Sequence, residues 1–371
     1  MDQLINFGIP HVGELIFESI DTPDLLQCRR VSKPWKAFAD NVLFKRWRSN
    51  DKMIKAFETG LTEIVEILLE RIENVETKLN ATDKNGRTAF MLACQNGHTD
   101  VVKILLDYFA SKTIGPDENE QHRRNSLLLE WQNGQINAIQ YIIHRYKNYS
   151  PDYNQIHLAN MDKNGRNAFL LACQNGHTDV VKILPEPDPK DVRLVLNNTN
   201  YDFKDTYRKQ TAFMLACQNG HIDVVTFLLE ALNYKQVNTK DISDNTAFMW
   251  ACGNGHDNVV KLLLDNSDSK HIELNTINCL SMQRRNAFML ACKYGHKEVV
   301  KLLLEHSNTK KIELNVKDAN GQTAFILACY NGHIDVVKLC LDYSEVLDVN
   351  VPKINQLSEA ILDLLKFQNI E

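Results

Sequence analysis

Cysteine and histidine are the side chains most often recruited for nucleophilic or metal chemistry. In this 371-residue chain they stand four residues apart six times. The hexapeptide is Ala-Cys-Gln-Asn-Gly-His at 93–98, 172–177 and 216–221, and variants occur at 251–256, 291–296 and 328–333. An imidazole beside a thiol could generate a thiolate nucleophile, and thiolates gathered with imidazoles could hold zinc. The spacing argues against both. Ligands drawn from one segment sit a few residues apart, whereas the cysteines of successive hexapeptides are 35 or more apart. The glycine between each Cys and its His also interrupts the helix that would align them. Cys94, Cys173, Cys217, Cys252, Cys292 and Cys329 are therefore expected to act as small apolar residues. Phosphate-loop, H-E-x-x-H and G-x-S-x-G patterns do not occur. The expectation is a non-enzyme with no catalytic residue, no metal ligand and no cofactor.

The elements around the hexapeptide recur with it. Glycines at 60, 97, 134, 176, 220, 255, 295 and 332 are spaced by 35 to 44 residues. Each strong unit begins T/N-A-F, as at Thr88, Asn167, Thr211, Thr246, Asn286 and Thr323, and continues after the His with a pattern such as Thr99–Leu106. Thr or Asn caps a first helix, and the glycine closes it in the left-handed conformation. A second helix follows, with Asp in its first turn and Val101, Val102, Ile104 and Leu105 on one buried face. A polar turn such as 82–86 leads to the next unit. The pattern resembles the ankyrin repeat over roughly residues 51–370, with Ala-Phe-Met in place of the family's Pro-Leu-His. That resemblance implies that each Gly-His imidazole ties neighbouring turns through backbone hydrogen bonds. Units one (53–70) and three (125–144) are degenerate. The second helix of unit four should end at Leu184, before Pro185, Pro187 and Pro189, and Leu357–Phe367 reads as a closing helix.

Net charge is −5, with 44% hydrophobic and 24% charged residues, so a core is expected and a nucleic-acid partner is not. The N-terminus lacks a signal-peptide pattern, and no apolar run reaches the ~18 residues of a membrane span. A cytoplasmic location is expected, with the nucleus also possible, and neither membrane binding nor disulfides. In an ankyrin array the turn tips and the open side of the first helices bind protein. The resemblance therefore implies a substrate surface of Arg87, Gln95, Arg166, Gln174, Tyr207, Arg208, Lys209, Gln218, Met282, Arg284, Arg285, Lys293, Tyr294 and Tyr330. Trp250 stands where other units have Leu and is expected in the core.

The first fifty residues do not repeat. Leu15, Ile16 and Ile20 suggest a short amphipathic helix. Asp21-Thr22-Pro23 breaks it and caps a second, and Ser32 caps a third through Pro34, Trp35 and Phe38. Ile9-Pro10, Ile16-Phe17, Ile20-Asp21, Asp24-Leu25-Leu26 and Val31-Ser32-Lys33-Pro34-Trp35 resemble an F-box, with the first segment one residue short. This resemblance implies a Skp-type adaptor of a cullin–RING ubiquitin ligase as partner, held by Ile9, Pro10, Leu15, Ile16, Ile20, Leu25, Leu26, Val31 and Trp35. Some forty residues are too few to hide such a face alone.

The expected architecture is all-α: an ankyrin-repeat solenoid of helix–turn–helix units preceded by a small three-helix F-box-like domain. Its parts are 1–50 (F-box-like), 51–349 (about eight repeats) and 350–371 (C-terminal cap). The expected function is substrate recognition for a ubiquitin ligase. The alternative is a non-catalytic ankyrin scaffold whose N-terminal helices only cap the array.

Overall fold

The computed structural model describes residues 16–72, 75–112, 160–184, 209–279, 283–350 and 358–367. Every regular element within them is helical, and the β-pairing found there is limited to isolated bridges, Thr82 to Thr88 and Asn278 to Arg285. Contacts group the chain into two compact units, Met1–Ala172 with Asp179–Asp188, and Cys173–Thr178 with Pro189–Glu371. The degenerate third unit and the Pro185–Pro189 segment lie outside the described residues.

The described part of the first compact unit opens with a helical stretch at 16–19, then α1 (Thr22–Cys28) and α2 (Lys33–Trp47). Both starts follow local chemistry. The Asp21 carboxylate accepts from Asp24 N at 3.0 Å with Pro23 in the first turn. Ser32 Oγ accepts from Trp35 N at 3.4 Å. Phe17 is fully buried, with the Trp35 ring edge-on at 5.5 Å and the Phe38 ring stacked at 5.8 Å. Repeat one follows as α3 (Asn50–Glu58) and α4 (Thr62–Arg71), then α5 (Val75–Leu79). Repeat two is α6 (Ala89–Gln95) and α7 (Thr99–Lys112). Helix α3 packs on α6 and α4 on α7. The turn at 161–167 hydrogen-bonds directly to the turn at 82–88, Lys163 N to Asn85 O at 2.9 Å, so repeats two and four adjoin at this edge. Repeat four supplies α8 (Ala168–Asn175), whose residues from Cys173 on are counted with the second unit, and α9 (Thr178–Ile183), which stops short of Pro185 as expected.

In the second compact unit the repeats are α10 (Ala212–Gln218) with α11 (Ile222–Ala231), followed by short α12 (Tyr234–Val237); α13 (Ala247–Asn254) with α14 (Asp257–Asp265), followed by α15 (Ser267–Lys270); α16 (Ala287–Tyr294) with α17 (Lys297–Glu305), followed by α18 (Ser307–Lys310); and α19 (Ala324–Tyr330) with α20 (Ile334–Asp342). First helices pack in succession, as do second helices, and the closing helix α21 (Glu359–Phe367) packs on α20. Phe213, Phe248, Phe288 and Phe325, at equivalent places in successive repeats, are each buried. Each contributes roughly 1.5–3 kcal/mol of burial.

The expected caps are present. Thr211, Thr246 and Thr323 hydroxyls and the Asn286 side chain accept from the amides of Met214, Met249, Ile326 and Met289 at 3.0–3.4 Å. The histidines join repeats: Nε2 of His98, His221, His256, His296 and His333 lies 2.8–2.9 Å from the carbonyls of Glu58, Gln174, Gln218, Gly253 and Lys293. A second set of joints has no counterpart in the sequence reading. The Asn238, Asn275 and Asn315 amides each clip the next repeat. Asn275 Nδ2 donates to Lys311 O at 2.8 Å, and Glu313 N donates back to Asn275 Oδ1 at 2.9 Å; Asn238 and Asn315 repeat the geometry.

The hexapeptide glycine has two reasons to be glycine. At Gly255 φ is +79°, and a Cβ there would lie 2.5 Å from Nδ1 of His296. Gly332 has φ +74° but open space around its Cβ direction. Gly332→Ala should therefore cost only the left-handed backbone penalty, about 1–2 kcal/mol. Gly255→Ala should cost more, because it also displaces the His296 ring. Urea midpoints of the two variants measure the difference, and equal midpoints would show that the ring contact does not matter.

Candidate functional site

Two surfaces come from the elements above. The first is the open side of α1 and α2. Val31, between them, is 58% exposed; Ile16, Ile20, Leu26 and Trp35 are half-buried. Ile9, Pro10 and Leu15 lie outside the described residues. Leu25 departs from its expected role: it is fully buried, a core residue of the N-terminal helices and not a contact. The other side of α2 is occupied. Ala39, Val42 and Leu43 are buried where α2 packs on α4. Asp40, also buried, takes Arg29 Nε at 2.6 Å and has Arg71 Nη2 at 3.8 Å. Arg46 holds the preceding loop through the carbonyls of Glu18 and Ile20, at 3.1 and 2.9 Å.

The second surface comprises the turn tips and the first-helix faces. Here three expected contact arginines are engaged internally. Arg87 forks onto Asp83 of its own turn, Nε to Oδ2 at 2.8 Å, and its Nη1 donates to Gln95 Oε1 at 2.8 Å. Burial pushes the Asp83 carboxyl up, but the Arg87 guanidinium and the turn amides outweigh it and hold it below the usual range. Arg166 repeats the fork on Asp162 at 2.7 and 3.0 Å. Arg285 is 6% exposed and reaches Asp318 of the next repeat at 3.1 Å. A bidentate guanidinium–carboxylate pair is among the stronger hydrogen-bonded arrangements, so these side chains fix turns and are not free to meet a partner.

The aspartates are what the sequence reading missed. Asp83, Asp162, Asp241 and Asp318 each stand five residues before the capping Thr or Asn, and each Oδ1 accepts two amides of its turn at 2.8–3.0 Å. That constant spacing was the available signal. Trp250 is likewise not core. It is half-buried, and its Nε1 donates to Asp241 Oδ2 at 3.0 Å.

The remaining expected residues are surface-accessible. Gln95, Gln174, Gln218, Lys293 and Tyr330 are half-buried, with Gln218 accepting from Gln210 at 2.7 Å. Tyr294 is 51% exposed, with Lys293 Nζ 4.7 Å above its ring. Lys209 and Arg284 are exposed on left-handed backbone, φ 48° and 53°. Tyr207, Arg208 and Met282 lie outside the described residues.

The family model for ankyrin repeats (three copies) matches residues 52–155, 185–278 and 270–353. The chain belongs to the ankyrin-repeat family. A model for the F-box domain matches residues 10–47, so the chain carries an F-box ahead of its ankyrin repeats. Among solved structures, the crystal structure of the human ASB11 ankyrin repeat domain matches at 16% identity, covering 77% of this chain and 96% of that one, with a TM-score of 0.47. Comparison with curated proteins found no match. F-boxes and ankyrin repeats are typically non-catalytic interaction modules.

The six hexapeptide cysteines are buried, and burial pushes their thiols well above the usual range, Cys329 to about 12. A protonated, covered thiol is a poor nucleophile. Iodoacetamide labelling of the native protein, read by mass spectrometry, should modify exposed Cys279 and spare all six until urea unfolds the repeats. Arg285→Ala would leave the buried Asp318 carboxylate without its cation and should destabilise by about 3–5 kcal/mol. Chemical denaturation against Arg284→Ala, an exposed neighbour expected within ~0.5 kcal/mol of the parent, checks it.

Proposed function

We propose that this chain is a substrate-recognition subunit of an SCF-type ubiquitin ligase. The F-box helices bind a Skp-type adaptor, and the ankyrin repeats bind a substrate protein. Ubiquitin transfer belongs to other subunits. This chain contributes proximity, raising the effective concentration of a target lysine near the loaded conjugating enzyme. It acts in the cytoplasm or nucleus.

The observation that supports this reading best is the division of labour around α1 and α2. Ala39, Val42 and Leu43 are covered where α2 packs on repeat one, whereas Leu26, Val31 and Trp35 keep accessible apolar surface. An uncovered apolar set beside a basic rim (Arg30, Lys33 and Lys36 are exposed) is what a partner would cover. The second reading, a purely structural cap, draws on the α2–α4 packing.

The two readings separate by side. Leu26→Glu with Val31→Glu should abolish co-purification with recombinant Skp-type adaptor while leaving the melting temperature unchanged. Leu43→Ala should destabilise by about 2–5 kcal/mol. Adaptor capture that survives the double glutamate variant, or is absent from the parent, leaves the cap reading.

A further inference from the structure

Six first helices share one template, and one position in it breaks the pattern. Counting two residues back from the hexapeptide glycine gives Gln174, Gln218, Lys293 and Tyr330 in the second compact unit, but Gly253 in α13. Glycine inside a helix is disfavoured against glutamine or lysine, and here the backbone does not require it, since Gly253 has no left-handed φ. Close packing does not require it either. A Cβ at Gly253 would meet just Leu290, at 3.6 Å from its Cβ and 3.9 Å from its Cδ1, both ordinary contacts.

The missing side chain has a visible effect on that leucine. Leu215 and Leu327, which follow Gln174 and Lys293 at the equivalent place, are 6% and 3% exposed, whereas Leu290, which follows Gly253, is only half-buried. Trp250, one helical turn before Gly253 on the same face, is also half-buried, with its indole N–H fixed on Asp241 Oδ2 at 3.0 Å. The result is a notch on adjacent helices beside Leu290, with Trp250 one turn away, open where every neighbouring repeat has a long side chain.

Its surroundings are basic in a chain whose net charge is −5. Among the described residues, the charged ones along the turns and first helices of repeats five to seven are Lys209, Lys240, Arg284, Arg285 and Lys293 against Asp241 and Asp244. Arg285 is paired with Asp318, and Asp241 is occupied by two turn amides and the Trp250 indole. Among the described residues neither Arg284 nor Lys293 has a carboxylate partner. The tips carry a further mark. Lys209, Asp244 and Arg284 hold left-handed φ of 48°, 63° and 53°, at the place where repeats two, four and eight use Gly86, Gly165 and Gly321. Three consecutive turns thus accept backbone strain and keep a charged side chain at the tip, a pattern that marks functional surface.

We infer that repeats five to seven hold an extended acidic segment of a partner protein, with one bulky apolar side chain seated in the Gly253 notch and flanking carboxylates on Arg284 and Lys293. This rests on the reading of the ankyrin array as the substrate-binding part and narrows the substrate to that chemistry. The side chain buries its apolar surface on Leu290 and Trp250, and the cations orient the segment and speed its arrival.

Panning a random-peptide display library on the full-length protein tests this. The expected enrichment is for acidic peptides with one bulky apolar residue. Fluorescence anisotropy of the winning peptide should show affinity falling with added salt. Gly253→Gln should weaken binding by about tenfold or more, although glutamine is the better helix former and the variant should melt no lower than the parent. Arg284→Glu with Lys293→Glu should lose binding. Enrichment of basic or uncharged peptides, no enrichment at all, or full binding by a folded Gly253→Gln protein would overturn the inference. Adaptor capture from the same preparation keeps the two readings apart. Capture without peptide enrichment removes the notch and leaves the ligase role. Peptide enrichment without capture removes the ligase role and leaves the notch.

Discussion

The structure depends on a contact between a first-helix glycine and the histidine of a following repeat, made five times among the described residues. A first helix ends with a carbonyl two residues before its glycine, and nothing in its own repeat satisfies that acceptor. The histidine of the following repeat does, with Nε2 at 2.8–2.9 Å and its ring lying where the glycine's side chain would be. Glycine is required on one side of the joint and an imidazole N–H donor on the other. Neither residue can drift without the other, so the Gly-His pair persists while its neighbours change. The joint also has a direction: each repeat completes the one before it. The last glycine, Gly332, accordingly has open space beside it, and the end of the array is covered differently, by α21 on α20.

That arrangement explains how such a chain can vary its surface without losing its fold. The residue two before the glycine contributes its carbonyl to the joint and its side chain to the outside. Gln218, Gly253 and Lys293 all offer the same acceptor to the next histidine, yet they present an amide, nothing, and an ammonium. Stability in a repeat array is largely a sum over neighbouring pairs. A substitution that leaves the backbone joint intact therefore alters recognition at little structural cost. The six cysteines belong to the opposite category. They are covered by the same packing and are inert for the reason that makes them uniform.

The parts of the fold legible in the sequence were those fixed by local chemistry or strict recurrence. Ser32 and Asp21 as caps, Thr88 and its equivalents, and the helix stop before Pro185 needed only neighbouring residues. The recurrence of the hexapeptide carried the ankyrin resemblance, and that resemblance implied the Gly-His joint. What escaped was the destination of long polar side chains. Arg87, Arg166 and Arg285 have the composition of a contact surface, but a guanidinium can fold back onto an aspartate four residues earlier or reach one 33 residues later. Only three-dimensional spacing distinguishes these from an outward pose. Leu25 and Trp250 failed in opposite senses for one reason. Periodicity identifies an apolar face but not its depth, and burial is decided by what the neighbouring helix places on top. The Asn238, Asn275 and Asn315 clips escaped because Ile-Glu-Leu-Asn at 272–275 and 312–315 recurs only twice in full.

The N-terminal helices extend the same logic. A helix in a small domain can be covered on one side by its own chain and remain available on the other, and α2 does both along its length. Its later turns, with Ala39, Val42 and Leu43, are buried where it packs on α4, and the Asp40 carboxylate ties Arg29 of the F-box to Arg71 of repeat one. Its first turn, with Trp35 and the adjoining Val31, stays accessible. Only Arg48 and Ser49 separate α2 from α3. Docking onto repeat one is therefore compatible with an adaptor role and gives it mechanical sense. An F-box on a flexible tether would leave its distance from the first repeats unspecified, whereas a shared helix packing and a three-member ion cluster hold that distance fixed, which is what the proposed proximity role would use.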